Sequence, residues 1–194
     1  MKKMRIVQPL DAASILEIYT PYILNTAITF ETEIPSTGSF EERIKLYTEK
    51  WPWIVYEVDG IIAGYAYATK HRERLAYQWC VESSVYIRDR FQREGIASKL
   101  YNVLFEVLRL QGFINVYAGI TLPNDRSITF HEKLGFSNFV YYKNVGHKLG
   151  AWRTVGWWQK QINDYEIQPS APVDFREMDI NLINSFLNEE NKKK

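Results

Sequence analysis

The stretch Glu82-Ser-Ser-Val-Tyr-Ile-Arg-Asp-Arg-Phe-Gln-Arg-Glu-Gly-Ile-Ala97 decides how this chain is read. It is a strand that runs into a loop, Gln92-x-x-Gly95-x-Ala97, and the loop opens a helix. Small residues at such a turn let backbone N–H groups approach an anion, and the positive end of the helix dipole favours negative charge. Arg93 adds a cation, so the order suits a pyrophosphate. Taken alone, the six-residue pattern reads equally well as a loop glycine ahead of a helix.

Around this stretch the chain alternates strands and helices. A short strand covers residues 4–8, and Asp11 is placed to cap a helix whose apolar positions Ile15, Ile18, Tyr19, Tyr22 and Ile23 repeat with helical period. Leu10 and Ile15 are spaced for a hydrophobic staple, and Ser39 with Glu42 has capping-box spacing for a second helix ending near Lys50. Trp53–Val58 and Ile61–Ala68 are joined by Asp59-Gly60, a strong hairpin signal. A strand is expected over Ala76–Ile87, then a helix over Ile96–Leu110 with Leu100, Leu104, Val107 and Leu108 on one face and Gly112 at its end. Further strands are expected over Asn115–Leu122, Phe136–Lys143 and Trp152–Gln161, with a short helix over Asp125–Leu134. The fold class is mixed α/β.

Residues 1–162 form the expected domain and 163–194 an extension. Pro169 and Pro172 interrupt the pattern, and Phe175, Met178, Leu182, Ile183, Phe186 and Leu187 then resume a helical stripe over about Asp174–Glu189, leaving Lys192–Lys194 solvated. The 194 residues, 46% hydrophobic, suffice for one core. Lysine and arginine number 24 against 23 acidic residues, so no field is available to hold nucleic acid. The N-terminus lacks the apolar run of a signal peptide and no segment is long enough to span a bilayer, which gives a cytoplasmic expectation. Cys80 is the sole cysteine, so neither an intrachain disulfide nor a cysteine-rich metal site is expected, and no metal is implied.

The Gln92–Ala97 pattern resembles the acetyl-CoA signature of the GNAT acetyltransferases. The second element expected there, Asn124 followed by Ser127 and His131-Glu-Lys-Leu-Gly-Phe136, appears downstream in order. Thr29-Phe30-Glu31, Gly64-Tyr-Ala-Tyr-Ala68, Arg74-x-Ala-Tyr77-x-Trp79-x-Val-Glu82-Ser-Ser-Val-Tyr86, Leu122-Pro-Asn124 and Val155-Gly-Trp-Trp-Gln159 together resemble the phosphinothricin N-acetyltransferases, from about residue 4 to residue 161. This resemblance implies a mostly antiparallel sheet flanked by helices, a homodimer, and acetyl-CoA as cosubstrate. It also implies that main chain at Val85, Tyr86 and Ile87, the loop Arg93, Glu94, Gly95, Ile96, Ala97 and Ser98, and Asn124 hold the cosubstrate. Backbone suits that task, because an exposed strand edge pairs with pantetheine amides as an added strand would.

Acyl transfer to an amine needs a base for the ammonium and an acid for the thiolate. Glu82 and His131 are the candidates. Glu82 sits in an apolar stretch, where desolvation raises a carboxylate pKa; the alternative is an acid on the solvent face of a half-buried strand. His131 falls where related enzymes carry a tyrosine facing the CoA sulfur; the alternative is a structural helix histidine. By the same resemblance, Phe30, Arg72, Arg74, Tyr77 and Val155 contact a small amino-acid-like acceptor, with the arginines gripping its anionic end and repelling polyamines. Lys70, His71, Arg72 and Arg74 also read as an ordinary solvated loop.

Where the resembling family reads Gly-[aromatic]-Lys-His-Gly-x-Trp-His-Asp-Val, this chain has Gly146-His147-Lys148-Leu149-Gly150-Ala151-Trp152-Arg153-Thr154-Val155. Leu149, Arg153 and Thr154 therefore leave the acceptor open. A protein-modifying acetyltransferase and a catalytically silent CoA-binding module are the rival classes, and retention of both Glu82 and His131 argues against the second.

Overall fold

A computed structural model describes residues 1–192 of the chain. Its strands are β1 (Lys2–Ile6), β2 (Trp53–Val58), β3 (Ile61–Lys70), β4 (Cys80–Ile87), β5 (Asn115–Thr121), β6 (Ser137–Lys148) and β7 (Ala151–Gln161). They form one sheet in the order β1-β2-β3-β4-β5-β7-β6. Every neighbouring pair is antiparallel except β4 with β5. The helices are α1 (Ala12–Asn25), α2 (Thr37–Lys50), α3 (Ile96–Gln111), α4 (Asp125–Lys133) and α5 (Ile180–Lys192).

The sheet has an apolar layer on each face. The stripe expected on α3 is buried throughout: Leu100, Leu104, Val107 and Leu108 pack with Val116 of β5 and Trp158 of β7. On the opposite face α1 and α2 cover Trp53, Val55 and Tyr65 with Ile15, Tyr19 and Phe40. Tyr19 and Tyr22 meet Tyr86 edge to face at centroid separations of 5.0 and 5.1 Å, which ties α1 to β4. The Asp59-Gly60 turn joins β2 to β3 with both residues at positive φ (50° and 80°), the backbone a two-residue hairpin turn requires.

Several boundaries differ from those expected. Asp11 does not cap α1; its carboxylate accepts from Gln8 N at 2.7 Å and faces both terminal nitrogens of Arg5. Leu10 is 85% exposed, so no staple with Ile15 forms. Ser36, not Ser39, caps α2, accepting from Ser39 N at 3.1 Å. Leu75–Tyr77 is a 3-10 turn rather than the start of β4, because Leu75 lies exposed and has no apolar layer to enter. β6 runs five residues past the expected end at Lys143 and turns into β7 through Leu149 and Gly150, both at positive φ (52° and 72°).

Residues 163–192 lie against the rest of the molecule. The Asn163 amide donates to Arg109 O and Phe113 O, Trp79 Nε1 donates to Ser170 O at 2.8 Å, and Gln111 and Val173 exchange hydrogen bonds. The tail helix begins at Ile180 instead of Asp174, after a 3-10 turn at Phe175–Glu177. Phe175, Ile183 and Leu187 enter the same core as α3, and Asn191 Oδ1 accepts from Met4 N at 2.7 Å. The expectation of a solvated Lys192–Lys194 concerns side chains outside the described residues.

We propose that the extension is part of the folded unit and not an appendage. Ile183→Ala and Leu187→Ala are each expected to cost about 2–5 kcal/mol, the range for emptying a buried aliphatic site. Leu182→Ala, at a position 41% exposed, should cost less than about 0.5 kcal/mol. Urea unfolding of the three variants checks this; equal midpoints would refute it.

Candidate active site

The parallel pairing of β4 and β5 lasts three residues, with Cys80, Val81 and Glu82 opposite Asn115, Val116 and Tyr117. Beyond Glu82 the strands part. β4 stays paired with β3 as far as Ile87 opposite Gly64, and β5 stays paired with β7 as far as Thr121 opposite Val155. Ser83–Ile87 therefore presents a backbone edge with no neighbouring strand to a cleft of about 680 Å³, where the Ile87 carbonyl accepts from the Tyr22 hydroxyl at 2.8 Å. Val85, Ile87, Ala97, Asn124, Tyr22 and Phe130 are among its walls. An unpaired edge offers N–H and C=O groups to an extended amide-bearing ligand.

At the other end of the cleft, the turn before α3 is left-handed at Arg93 (φ 68°) and Gly95 (φ 76°). No side chain caps α3, so its first N–H groups are available to an anion. Gln92 is held between Arg126, whose Nη1 donates to it at 2.7 Å, and the Tyr22 hydroxyl at 3.4 Å. Asn124 caps α4, its Oδ1 accepting from Ser127 N at 3.1 Å. Of the ten residues expected to hold a cosubstrate, Val85, Ile87, Ala97 and Asn124 line the cleft directly. The Tyr86 and Ile96 side chains are buried in the two cores, Glu94 reaches to within 4.0 Å of Lys2 Nζ, and Tyr86 is paired with Tyr65 of β3.

Glu82 stands where the strands divide, 30% exposed, about 10 Å down β4 from Val85 at the usual rise. Its carboxylate is not shut into the apolar surroundings that the flanking stretch suggests. Oε1 lies 3.0 Å from His71 Nδ1 and 3.9 Å from Arg72 Nη1. The His71 ring stacks on Tyr117 at 4.2 Å and 14°, and Trp157 meets it edge-on at 5.8 Å. The Arg72 guanidinium lies over Trp157, 5.8 Å from the ring centroid, and the buried Trp157 Nε1 has no partner among the described residues. Tyr77, 44% exposed, is 6.3 Å from His71.

Other expected acceptor residues lie apart from this group. Phe30 covers Gly146 of β6, so closely that a Cβ there would meet its ring, and neighbouring Thr29 O accepts from buried Lys148 Nζ at 2.7 Å. Val155 is opposite Thr121, two register positions along β7 from Trp157. Leu149 and Thr154 belong to the β6–β7 hairpin, and Arg153 Nε donates back to Lys148 O at 3.3 Å.

His131 does not face the cleft. It is buried among Tyr101, Phe130 and Phe136, with Nδ1 2.8 Å from Ser127 O and Nε2 3.4 Å from the Tyr101 hydroxyl. A carbonyl only accepts, so Nδ1 carries the proton and Nε2 takes the phenol hydrogen. Burial lowers its pKa and favours the neutral form. This is a histidine that fastens α4 to α3, not a donor aimed at a thiolate.

Residues 4–157 match the acetyltransferase (GNAT) domain family. The chain belongs to the GNAT acetyltransferases. A phosphinothricin N-acetyltransferase from Streptomyces viridochromogenes is 39% identical over 164 residues, covering 84% of this chain and 88% of that protein. An L-methionine sulfoximine/L-methionine sulfone acetyltransferase from Salmonella typhimurium is 30% identical over 165 residues, 83% of this chain and 95% of that one. The crystal structure of a phosphinothricin acetyltransferase from Sinorhizobium meliloti in complex with AcCoA superposes with a TM-score of 0.83 at 30% identity, over 87% of this chain and 93% of that one. The expected fold and N-acetyltransferase class are thus both borne out.

Sequence reasoning missed His71, Tyr117 and Trp157 as companions of Glu82, and Tyr22 and Arg126 as cleft residues. His71 had only a charged-loop signal, and the others come together through strand order. One expectation follows from His131. The unfolded histidine binds a proton below about pH 6.5 while the buried one resists it, so the stability it contributes is full above that pH and falls as pH drops toward its depressed folded value. Melting of His131→Asn between pH 5 and 8 should show a shallower acid loss than wild type; an unchanged slope would contradict the burial assignment.

Proposed function

We propose that this GNAT enzyme transfers the acetyl group of acetyl-CoA to the α-amine of a small amino-acid-like acceptor of the phosphinothricin or methionine sulfoximine class. The observation that carries the proposal is the juxtaposition of Glu82 with Arg72 at the point where β4 and β5 part. A carboxylate suits an ammonium, and an arginine fork beside it suits an anionic end about one amino acid away. The names of the relatives support the same acceptor class.

When bound, acetyl-CoA supplies a thioester carbonyl for attack. The residues present fit it: the β4 edge from Val85 to Ile87 matches an extended arm, and the uncapped α3 N-terminus with Arg93 suits a pyrophosphate. Glu82 takes the proton from the acceptor's ammonium. Arg72, Arg74 and Tyr77 hold the acceptor's anionic end, while Phe30 and Val155, which lie apart from them, are left outside this assignment. Tyr117 and Trp157 hold the His71 ring and the Arg72 guanidinium beside the carboxylate. We read the enzyme as a cytoplasmic homodimer, supported by the apolar side chains Phe139, Tyr141, Val145 and Trp152 exposed on the β6–β7 hairpin. Among the described residues no helix is long and apolar enough to cross a membrane, and no cluster of metal ligands is found.

Release of free thiol from acetyl-CoA with a panel of acceptors tests the reading. Phosphinothricin, methionine sulfoximine and methionine sulfone should outrun a polyamine. Glu82→Gln should lower kcat by about 10²–10⁴-fold, the range for a general base, with the KM for acetyl-CoA unchanged. Arg74→Ala should raise the acceptor KM about tenfold, as loss of one charge-assisted contact would. A polyamine preference, or full activity in Glu82→Gln, overturns the assignment.

A further inference from the structure

Glu82 is one half of a pair. His71, on the loop that leaves β3, places Nδ1 3.0 Å from Glu82 Oε1, and its side chain is only 11% exposed. Stacking on Tyr117 and the Trp157 edge fix the ring plane. An ionised carboxylate only accepts, so neutral His71 carries its proton on Nδ1 and its lone pair on Nε2. Among the described residues nothing hydrogen-bonds to Nε2. With Oε1 taken by His71 and approached by Arg72 at 3.9 Å, Oε2 is the oxygen left for an incoming ammonium.

We infer that His71 is a positioning residue for Glu82: neutral, it locks Oε1 so that Oε2 meets the acceptor's ammonium, and when protonated it silences the base. This rests on the assignment of Glu82 as the base. Protonation at Nε2 makes the ring a second cation beside Arg72, so the carboxylate holds its ionised form against taking a proton and the site repels the incoming ammonium. The groups facing His71 are Glu82 from β4, Arg72 from its own loop, Tyr77 from the 3-10 turn, Tyr117 from β5 and the uncharged Trp157 from β7. Tyr117 is pushed up to about 12 by burial and stays neutral, and Lys70 is paired with Glu73 at 3.0 Å. His71 and Glu82 are therefore the two groups in direct contact whose charges bear on the base.

Steady-state kinetics of wild type, His71→Phe, His71→Asn and Glu82→Gln from pH 5.5 to 9.5 test this. His71→Phe should lower kcat about 10–100-fold while leaving the KM for acetyl-CoA unchanged, as a misaimed catalytic group does. His71→Asn puts a donor near the Nδ1 position and should keep kcat within about threefold of wild type at pH 8, because only the hydrogen bond is needed there. It should also move the acid limb of kcat/KM, because no imidazole is left beside Glu82 to take up a proton. A His71→Phe enzyme with wild-type kcat and pH profile, beside an inactive Glu82→Gln, would sink the role of His71 and leave Glu82 standing. Full turnover by Glu82→Gln would remove the base and this inference together. Should His71→Phe fail to fold by melting, an unmoved acid limb in His71→Asn overturns the proposal by itself.

Discussion

Three residues of parallel pairing, Cys80–Glu82 against Asn115–Tyr117, join the two halves of the sheet. The α3 layer beneath them is continuous, running from Ala66 on β3 through Val116 to Trp158, so the halves share one core even where their backbones separate. The separation leaves a β4 edge inside the sheet with no strand to fill it. Helix α3 starts beside that edge and α4 closes the other side. Under the proposed reading, ligand recognition falls to backbone at this edge, at the Gly95 turn and at the uncapped start of α3.

The same parting sets the chemistry at the closed end of the notch. Glu82 and Tyr117 are the last paired residues, so their side chains are the first to face open space on that side of the sheet. Gly119 next to them on β5 has no side chain, and the Trp157 indole lies over it, within 3.3 Å of where a Cβ would stand. The indole in turn supports His71 and Arg72. The charged groups are thus mounted on rigid strands and aromatic faces, the arrangement that keeps a catalytic geometry narrow.

Local signals in the sequence carried the elements whose causes are local. The Asp59-Gly60 hairpin and the α3 stripe both stand where their residues placed them. Ser36 and Ser39 illustrate the limit: both are good caps, and which one serves depends on where Phe40 and Ile44 must enter the α1–β2 core. Asp11 was claimed by Arg5 through a contact spanning β1 and the first turn. The companions of Glu82 arrive from a loop, β5 and β7, so only strand order brings them together. His131 carried a motif position but not its environment, because Tyr101, which closes over Nε2, comes from α3, 30 positions away in the chain.

Amide hydrogen exchange with and without acetyl-CoA tests most directly the proposal that main chain at the split holds the cosubstrate. The proposal predicts protection confined to Val85–Ile87 on β4 and the amides at 95–98 opening α3, with little change along α5. Protection centred instead on the α3–α5 surface, or none at β4 under saturating acetyl-CoA, would contradict it.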